Sequence, residues 1–200
     1  MFARNYMDQA EKAVSDVLGR NDSIVKAAEL IVHAVTNGKR VFVTDRYGVV
    51  DEEIAEKPGN LALFRSLSRS GEKLASGDVL ILSSFLPDDE RDIKIVEEAR
   101  SLGVTIITVS PEGKLSGSAD VAVLYQGAGM NAVLSAPGVD RSFGPISGML
   151  HMLLINMMQA QVAQLMVASG KKPTILPGAY LAGGAEKRLE AMRKFLAQGY

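Results

Sequence analysis

The stretch from Gly77 to Pro111 constrains the fold most. GDVLILSS is a short, unbroken apolar run that ends in small hydroxyl residues. In FLPDDERDIKIVEEARSLG the residues Ile95, Ala99 and Leu102 recur at helical spacing until Gly103 stops the pattern, and VTIITVSP is a second run rich in β-branched residues. Strand, helix and strand within this length predict a right-handed βαβ crossover between parallel neighbours. A parallel sheet of this kind is covered by helices on both faces. Its ligands lie beyond the carboxyl ends of the strands, so the turns opening at Ser83 and Ser110 are the first place to look for a site.

The rest of the chain extends this unit. Tyr6, Ala10, Val14 and Val17 share one stripe, broken at Gly19 and Asn21. Asp22 or Ser23 caps a second helix carrying Ile24, Ala28, Ile31 and Val35, which Asn37 and Gly38 end. Residues 1–37 therefore predict a helical hairpin ahead of the first strand, KRVFVTD, which opens into the loop Asp45-Arg46-Tyr47-Gly48. DEEIAEK predicts a short helix closed by Pro58-Gly59-Asn60, LALFR a second strand, and DVAVLY a fifth. QGAGMNAVLSAPGVDRSFG is a long connection of the kind that often lines a site.

From Pro145 to Ser169 the pattern predicts the longest helix, with Pro in its first turn and Gly170 after its end. Leu150, Leu153, Leu154, Met157, Met158, Val162, Leu165 and Met166 cover more than one side, so the helix must be buried on several sides, within the domain or between subunits. His151, Asn156, Gln159, Gln161 and Gln164 argue against a bilayer span. The chain closes with a Pro/Gly-rich piece and an amphipathic helix presenting Leu189, Met192 and Phe195, over 171–200. The expected organisation is one domain over 1–200, with its α/β core at 38–170 and no internal repeat.

Composition narrows the function classes. With 200 residues, 47% hydrophobic and 22% charged, the chain can bury a substantial core. A formal net charge of −1 and no basic run leave no footprint for nucleic acid or an anionic membrane surface, so small molecules and proteins are the expected partners. The absence of cysteine excludes disulfides, thiolate nucleophiles and Cys-based zinc sites, and fits a cytoplasmic chain. MFARNYMDQAEKAV has no apolar core of the signal-peptide kind. Only two histidines are present, His33 and His151, far apart in sequence, so no metal site and no cofactor are expected.

Taken together, the helical hairpin, NGKRVFV with its polar loop, the Glu-Glu pair, GDVLILSS, EEARSLGVTIITVS, ADVAVLY, and GPISG opening a long helix resemble the sugar isomerase (SIS) domain. The similarity is greatest to small bacterial single-domain proteins of the phosphoheptose-isomerase-like kind and includes the tail KPTILPGAYLAGGAEKRL. The resemblance implies a three-layer αβα sandwich around a five-stranded parallel sheet, assembly as homodimers or homotetramers, and binding of a phosphorylated sugar at the strand C-termini. The family phosphate turn, Ser-x-Ser-Gly, corresponds here to Ser83-Ser84-Phe85-Leu86-Pro87-Asp88, where only the serines survive. Phosphate binding needs converging N–H groups at a helix N-terminus, and Pro87 lacks one. The acidic run Asp88, Asp89, Glu90 and Asp92 suits the helix dipole and opposes a phosphate.

The loop at Asp45, Arg46 and Tyr47 stands where the family has Gly-x-Gly-x-Ser. Arg46 supplies a fork of donors for an anion, or is a solvated turn residue; Tyr47 stacks on a ligand, or covers the core edge. Glu52 and Glu53 match a paired glutamate of the family, and a carboxylate beside the C1–C2 unit of a sugar acts as general base only in a partly dry pocket. On a short helix two solvated glutamates are the commoner outcome. His151, four residues after Ser147, points back toward the mouth of its helix as a proton shuttle, or is a hydrogen-bonded core residue. Ser147 is an anion contact or a cap. Three functions follow: a phosphosugar isomerase using Glu52, Glu53 and His151, with Ser83, Ser84, Ser147 and Arg46 on the phosphate; a non-catalytic sugar-phosphate or nucleotide sensor; or a structural oligomer.

Overall fold

The computed structural model describes residues 2–19, 21–125 and 132–200. Two helices, α1 (Phe2–Leu18) and α2 (Asn21–Thr36), precede β1 (Val41–Asp45). There follow α3 (Val49–Glu56), β2 (Phe64–Ser66), α4 (Leu67–Ser70), β3 (Val79–Ser83), α5 (Glu90–Ser101), β4 (Thr105–Ser110), α6 (Lys114–Gly117) and β5 (Val121–Leu124). The chain ends with β6 (Ala132–Leu134), β7 (Phe143–Pro145), α7 (Ser147–Ala168) and α8 (Gly184–Gln198).

β1 to β5 form one parallel sheet in the order β2-β1-β3-β4-β5. Every residue of β1 and β3 is buried, as the apolar runs require of central parallel strands. Helices cover both faces. On one, Val43, Ile81, Ile107 and Val109 pack with Ile31, Leu154, Met158 and Val162 of α2 and α7; on the other, Phe42, Leu80, Leu82 and Ile106 pack with Val96, Ala99 and Leu115 of α5 and α6. This is the expected three-layer α/β arrangement, with the βαβ unit at its centre. The order reverses between β1 and β3, whose register sets Asp45 opposite Ser83. The two strands end level, so their loops share one rim at the topological switch point.

By length and composition α7 would span a bilayer, yet it is wrapped by α1, α2 and α3, with Leu150, Leu154, Ile155, Met158, Val162 and Met166 buried. Part of its apolar perimeter is covered inside the domain, while Met152, Leu153, Met157 and Leu165 are half-buried and Met149 and Val167 are exposed. Gln159 shows why a polar residue sits on such a helix: its Oε1 accepts the Leu61 N–H at 3.0 Å, and its Nε2 donates to Asn60 and Asn156.

Several expectations are corrected at element ends. LALFR is mostly not strand: β2 starts at Phe64, because the Leu61 backbone bridges to Ile175 and Ala62 donates to Thr174 O. Pro145 closes β7, and α7 begins at Ser147. The long connection contains the antiparallel pair β6 and β7, against which α1 packs; residues 126–131 lie outside the described residues. Leu102 caps α5 in solvent while Val96 and Ala99 face the sheet. On α8, Leu189 is exposed, and Phe195 anchors the helix.

Candidate functional site

The site forms where the loops after β1 and β3 meet. Gly48 takes a left-handed conformation (φ 71°), which turns the chain into α3 at a position where a side chain would be strained. Asp45 fills the turn. Its Oδ2 accepts the N–H groups of Tyr47 (3.1 Å) and Val49 (3.3 Å), and its Oδ1 those of Val50 (3.1 Å) and Asp51 (3.2 Å). These orphan donors of a helix start are where an external anion would otherwise sit, so the chain supplies its own carboxylate there. Asp45, read from sequence as a ligand contact, instead holds the loop.

The second helix start repeats the device. Asp89 is the N-cap of α5, its Oδ1 accepting from Arg91 N (3.0 Å) and Asp92 N (3.2 Å). Its Oδ2 is paired with the Arg46 guanidinium from the other loop. Ser84 Oγ lies 2.5 Å from Asp92 Oδ2 and 3.0 Å from Leu86 O, sharing its single proton between them. Burial, with the nearby Asp89 charge as a smaller cause, holds the Asp92 carboxyl above its ordinary value. Gly113, after β4, lets that loop approach: a Cβ there would stand 2.4 Å from Pro87 Cβ. Lys114 N donates to Asp88 Oδ1 at 2.8 Å and Leu115 N to Pro87 O at 3.0 Å, fixing the turn. Arg46, Tyr47, Ser84, Phe85 and Asp92 enclose a cleft of about 10 Å³, room for roughly one water.

Beneath this lid lies a buried polar pair. Ser83 Oγ is 2.5 Å from His151 Nδ1, and neither residue is exposed. The Phe85 ring stacks on the imidazole at 4.4 Å and 9°, Tyr125 meets it edge-on at 4.8 Å, and Tyr47 tilts against Phe85 at 6.0 Å. His151 Nε2 is buried with no hydrogen-bond partner among the described residues. Burial pushes His151 down to about 3, so the ring is neutral near pH 7; the same burial pushes the Tyr125 hydroxyl up.

The remaining sequence-selected residues lie differently. Glu52, half-exposed, pairs with Arg69 at 3.1 Å, and Glu53 pairs with Lys57 at 2.5 Å. Neither carboxylate is in the dry surroundings that a general base needs. Ser147 is buried at the start of α7, one turn before His151, and His33 is exposed on α2 beside Asn37. The structure adds residues that spacing did not select: Asp89, Asp92, Phe85 and Tyr125. It also adds Asp51, a fully buried carboxylate whose Oδ2 accepts from Ser66 (3.0 Å) and Ser68 (2.6 Å). Among the described residues no three metal-ligating side chains converge.

No family model matches the sequence. The chain is similar to UPF0309 proteins of Brucella anthropi, 26% identical over 95% of this chain and 94% of the relative, and of Streptomyces griseus, 23% identical over 88% and 87%. Among solved structures, a phosphoheptose isomerase from Francisella tularensis superposes on 82% of this chain and 99% of its own, with 16% identity and a TM-score of 0.59. The sugar isomerase domain of an RpiR transcription factor from Sphaerobacter thermophilus covers 93% and 97%, at 15% identity and a TM-score of 0.50. The chain has the SIS fold. A third structural neighbour, the Vibrio vulnificus NanR protein complexed with ManNAc-6P, covers 98% of this chain and 69% of its own, at 10% identity and a TM-score of 0.58.

Proposed function

We propose that this SIS domain binds a small sugar phosphate in the β1/β3 crevice, with Arg46 as the phosphate anchor and Asp89 as the internal anion that the ligand replaces. The observation that carries the reading is the Arg46–Asp89 pair. It joins the two loops of the switch point, and the Arg46 side chain is 42% exposed while that of Asp89 is 9% exposed. A phosphate dianion arriving from solvent presents more charge and more acceptors to the fork than one carboxylate does. Ser84 at the cleft wall and Ser83 beneath it are the hydroxyls for the rest of the ligand. The structural neighbours support a phosphosugar, since one is a phosphoheptose isomerase and one is complexed with ManNAc-6P. Nucleic acid and membrane have no part in this reading.

A cleft with room for one water cannot hold a sugar, so binding requires Phe85 to leave His151. That step favours a second reading, an isomerase. The neutral imidazole exposed by the movement has an unengaged Nε2, which accepts a proton in the tautomer whose Nδ1–H donates to Ser83 Oγ. In that reading His151 carries proton transfer, and the solvated Glu52 and Glu53 do not.

Copies of the chain associate through the apolar surface left at Phe2, Met7, Val139 and Phe143, and the assembly works in the cytoplasm. Sedimentation of dilute protein yields a dimer or tetramer on this view, and a clean monomer contradicts it. For the site, calorimetry with a hexose 6-phosphate and with the free hexose is decisive. Heat from the phosphate ester alone, lost in Arg46→Ala, supports binding. No heat at millimolar ligand, or unchanged affinity in Arg46→Ala, refutes it.

A further inference from the structure

A second cavity lies away from the switch point, at the free edge of the sheet. β2 is the edge strand, and α8 is laid beside it by the Leu61–Ile175 bridge and the Leu176 N–H bond to Asn60 O. Between them, bounded by the end of α3, is a cavity of about 450 Å³, within the range of small-molecule sites. One wall is apolar, from Phe195, Met192 and the exposed Leu196. The other carries three guanidinium groups, Arg65, Arg69 and Arg188, with the carboxylates Glu56 and Glu72 in the lining and Glu52 paired to Arg69 from outside it.

The donors are incompletely used. Arg65 reaches Glu72 through Nη1 alone, and its guanidinium stands 5.5 Å over the Phe195 ring. Arg69 approaches Glu52 at 3.1 Å and Glu56 at 3.6 Å with Nη1, and its side chain is half-exposed. Among the described residues neither has a protein acceptor at Nη2. Arg188 is fixed in place, donating to Glu56 O at 2.9 Å and so capping the C-terminus of α3. Two free guanidinium edges beside the apolar wall of Met192 and Leu196 match a ligand that has an anionic group at one end and a flat apolar ring at the other.

We infer that this edge cavity is a second ligand site, for an aromatic organic phosphate of the nucleoside monophosphate class, distinct from the β1/β3 crevice. The phosphate takes the free edges of Arg65 and Arg69, and the ring lies along Met192 and Leu196. The two ends act together, so the ligand outcompetes inorganic phosphate, which has no ring.

The test is calorimetric titration of the full chain with AMP and separately with inorganic phosphate. The expected result is AMP binding at least about tenfold tighter than phosphate, weakened about tenfold by Arg69→Gln, a half-exposed position that the fold tolerates. Leu196→Ser, at the exposed rim, removes apolar contact without adding charge, so it weakens AMP and leaves phosphate unchanged. Arg46→Ala, in the other site, leaves the AMP affinity within about twofold. The inference is overturned if AMP gives no heat at millimolar concentration, if phosphate binds as tightly as AMP, or if AMP binding responds to Arg46→Ala and not to Arg69→Gln. The last result places AMP in the crevice and leaves the sugar-phosphate reading standing.

Discussion

The buried His151 makes the stability of the fold depend on pH in a calculable way. In the unfolded chain the imidazole titrates near its ordinary 6.5, whereas in the fold burial holds it down to about 3. Between these values the unfolded chain binds a proton that the native chain does not, so stability falls as pH drops from about 6.5 toward 3 and is fully present above that window. The whole shift corresponds to about 5 kcal/mol, of which about 2 kcal/mol is lost between pH 7 and 5. Asp92 works in the opposite direction. Its carboxyl is held above its ordinary value, so the native state binds the extra proton and gains stability on acidification. Comparison with His151→Gln cancels that background, and glutamine still offers Ser83 a hydrogen-bond partner. Urea unfolding followed by far-UV circular dichroism, the chain having no tryptophan, is the assay. The wild type loses about 2 kcal/mol more than His151→Gln between pH 7 and 5; parallel pH profiles refute the burial of a neutral imidazole.

Four further outcomes follow from the geometry. Asp89→Asn keeps the α5 cap and releases Arg46, so calorimetry shows sugar-phosphate affinity rising about threefold or more; weaker binding contradicts the exchange of anions. Phe85→Ala uncovers the imidazole, and the NMR titration of His151 moves up toward 6.5, where an unchanged midpoint shows that Phe85 is not what excludes water. Gln159→Leu leaves the buried Leu61 N–H unpaired and costs about 1–3 kcal/mol in urea unfolding. Gly184→Ala forces a Cβ to within 2.0 Å of Gly178 O, so α8 shifts and amide exchange along 184–198 accelerates while the sheet stays protected.

The fold was legible where one periodicity dominated. The apolar runs located β3 and β4 to within two residues, because a central parallel strand has no solvated face to blur the signal, whereas the 3.6-residue stripe gave the end of α5 at Gly103 but not its start at Glu90. LALFR misled because Leu61, Ala62 and Leu63 are buried without being strand, their backbone partners coming from Gln159 and from residues 174–176. Leu189 misled in the opposite sense, since a helical stripe shows which residues share a side and not whether anything covers it. The candidate site was legible as a place and not as a set of contacts. The rim at Ser83 and Asp45 follows from topology alone. The Arg46–Asp89 pair spans 43 positions and has no sequence signature. The acidic run after Pro87 read as helix capping, and it is that, but Asp89 also binds the cation of the other loop. Glu52 and Glu53 were selected by their match to a paired glutamate of the family, whereas their exposure depends on how α3 sits over Arg69 and solvent.

A structure of the protein crystallised with a hexose 6-phosphate tests the central claim most directly. The account predicts the phosphate on the Arg46 guanidinium within hydrogen-bond distance of Ser84, with Asp89 withdrawn and the Phe85 ring lifted from His151. A phosphate bound elsewhere, with the Arg46–Asp89 pair and the Phe85 stack intact, contradicts it.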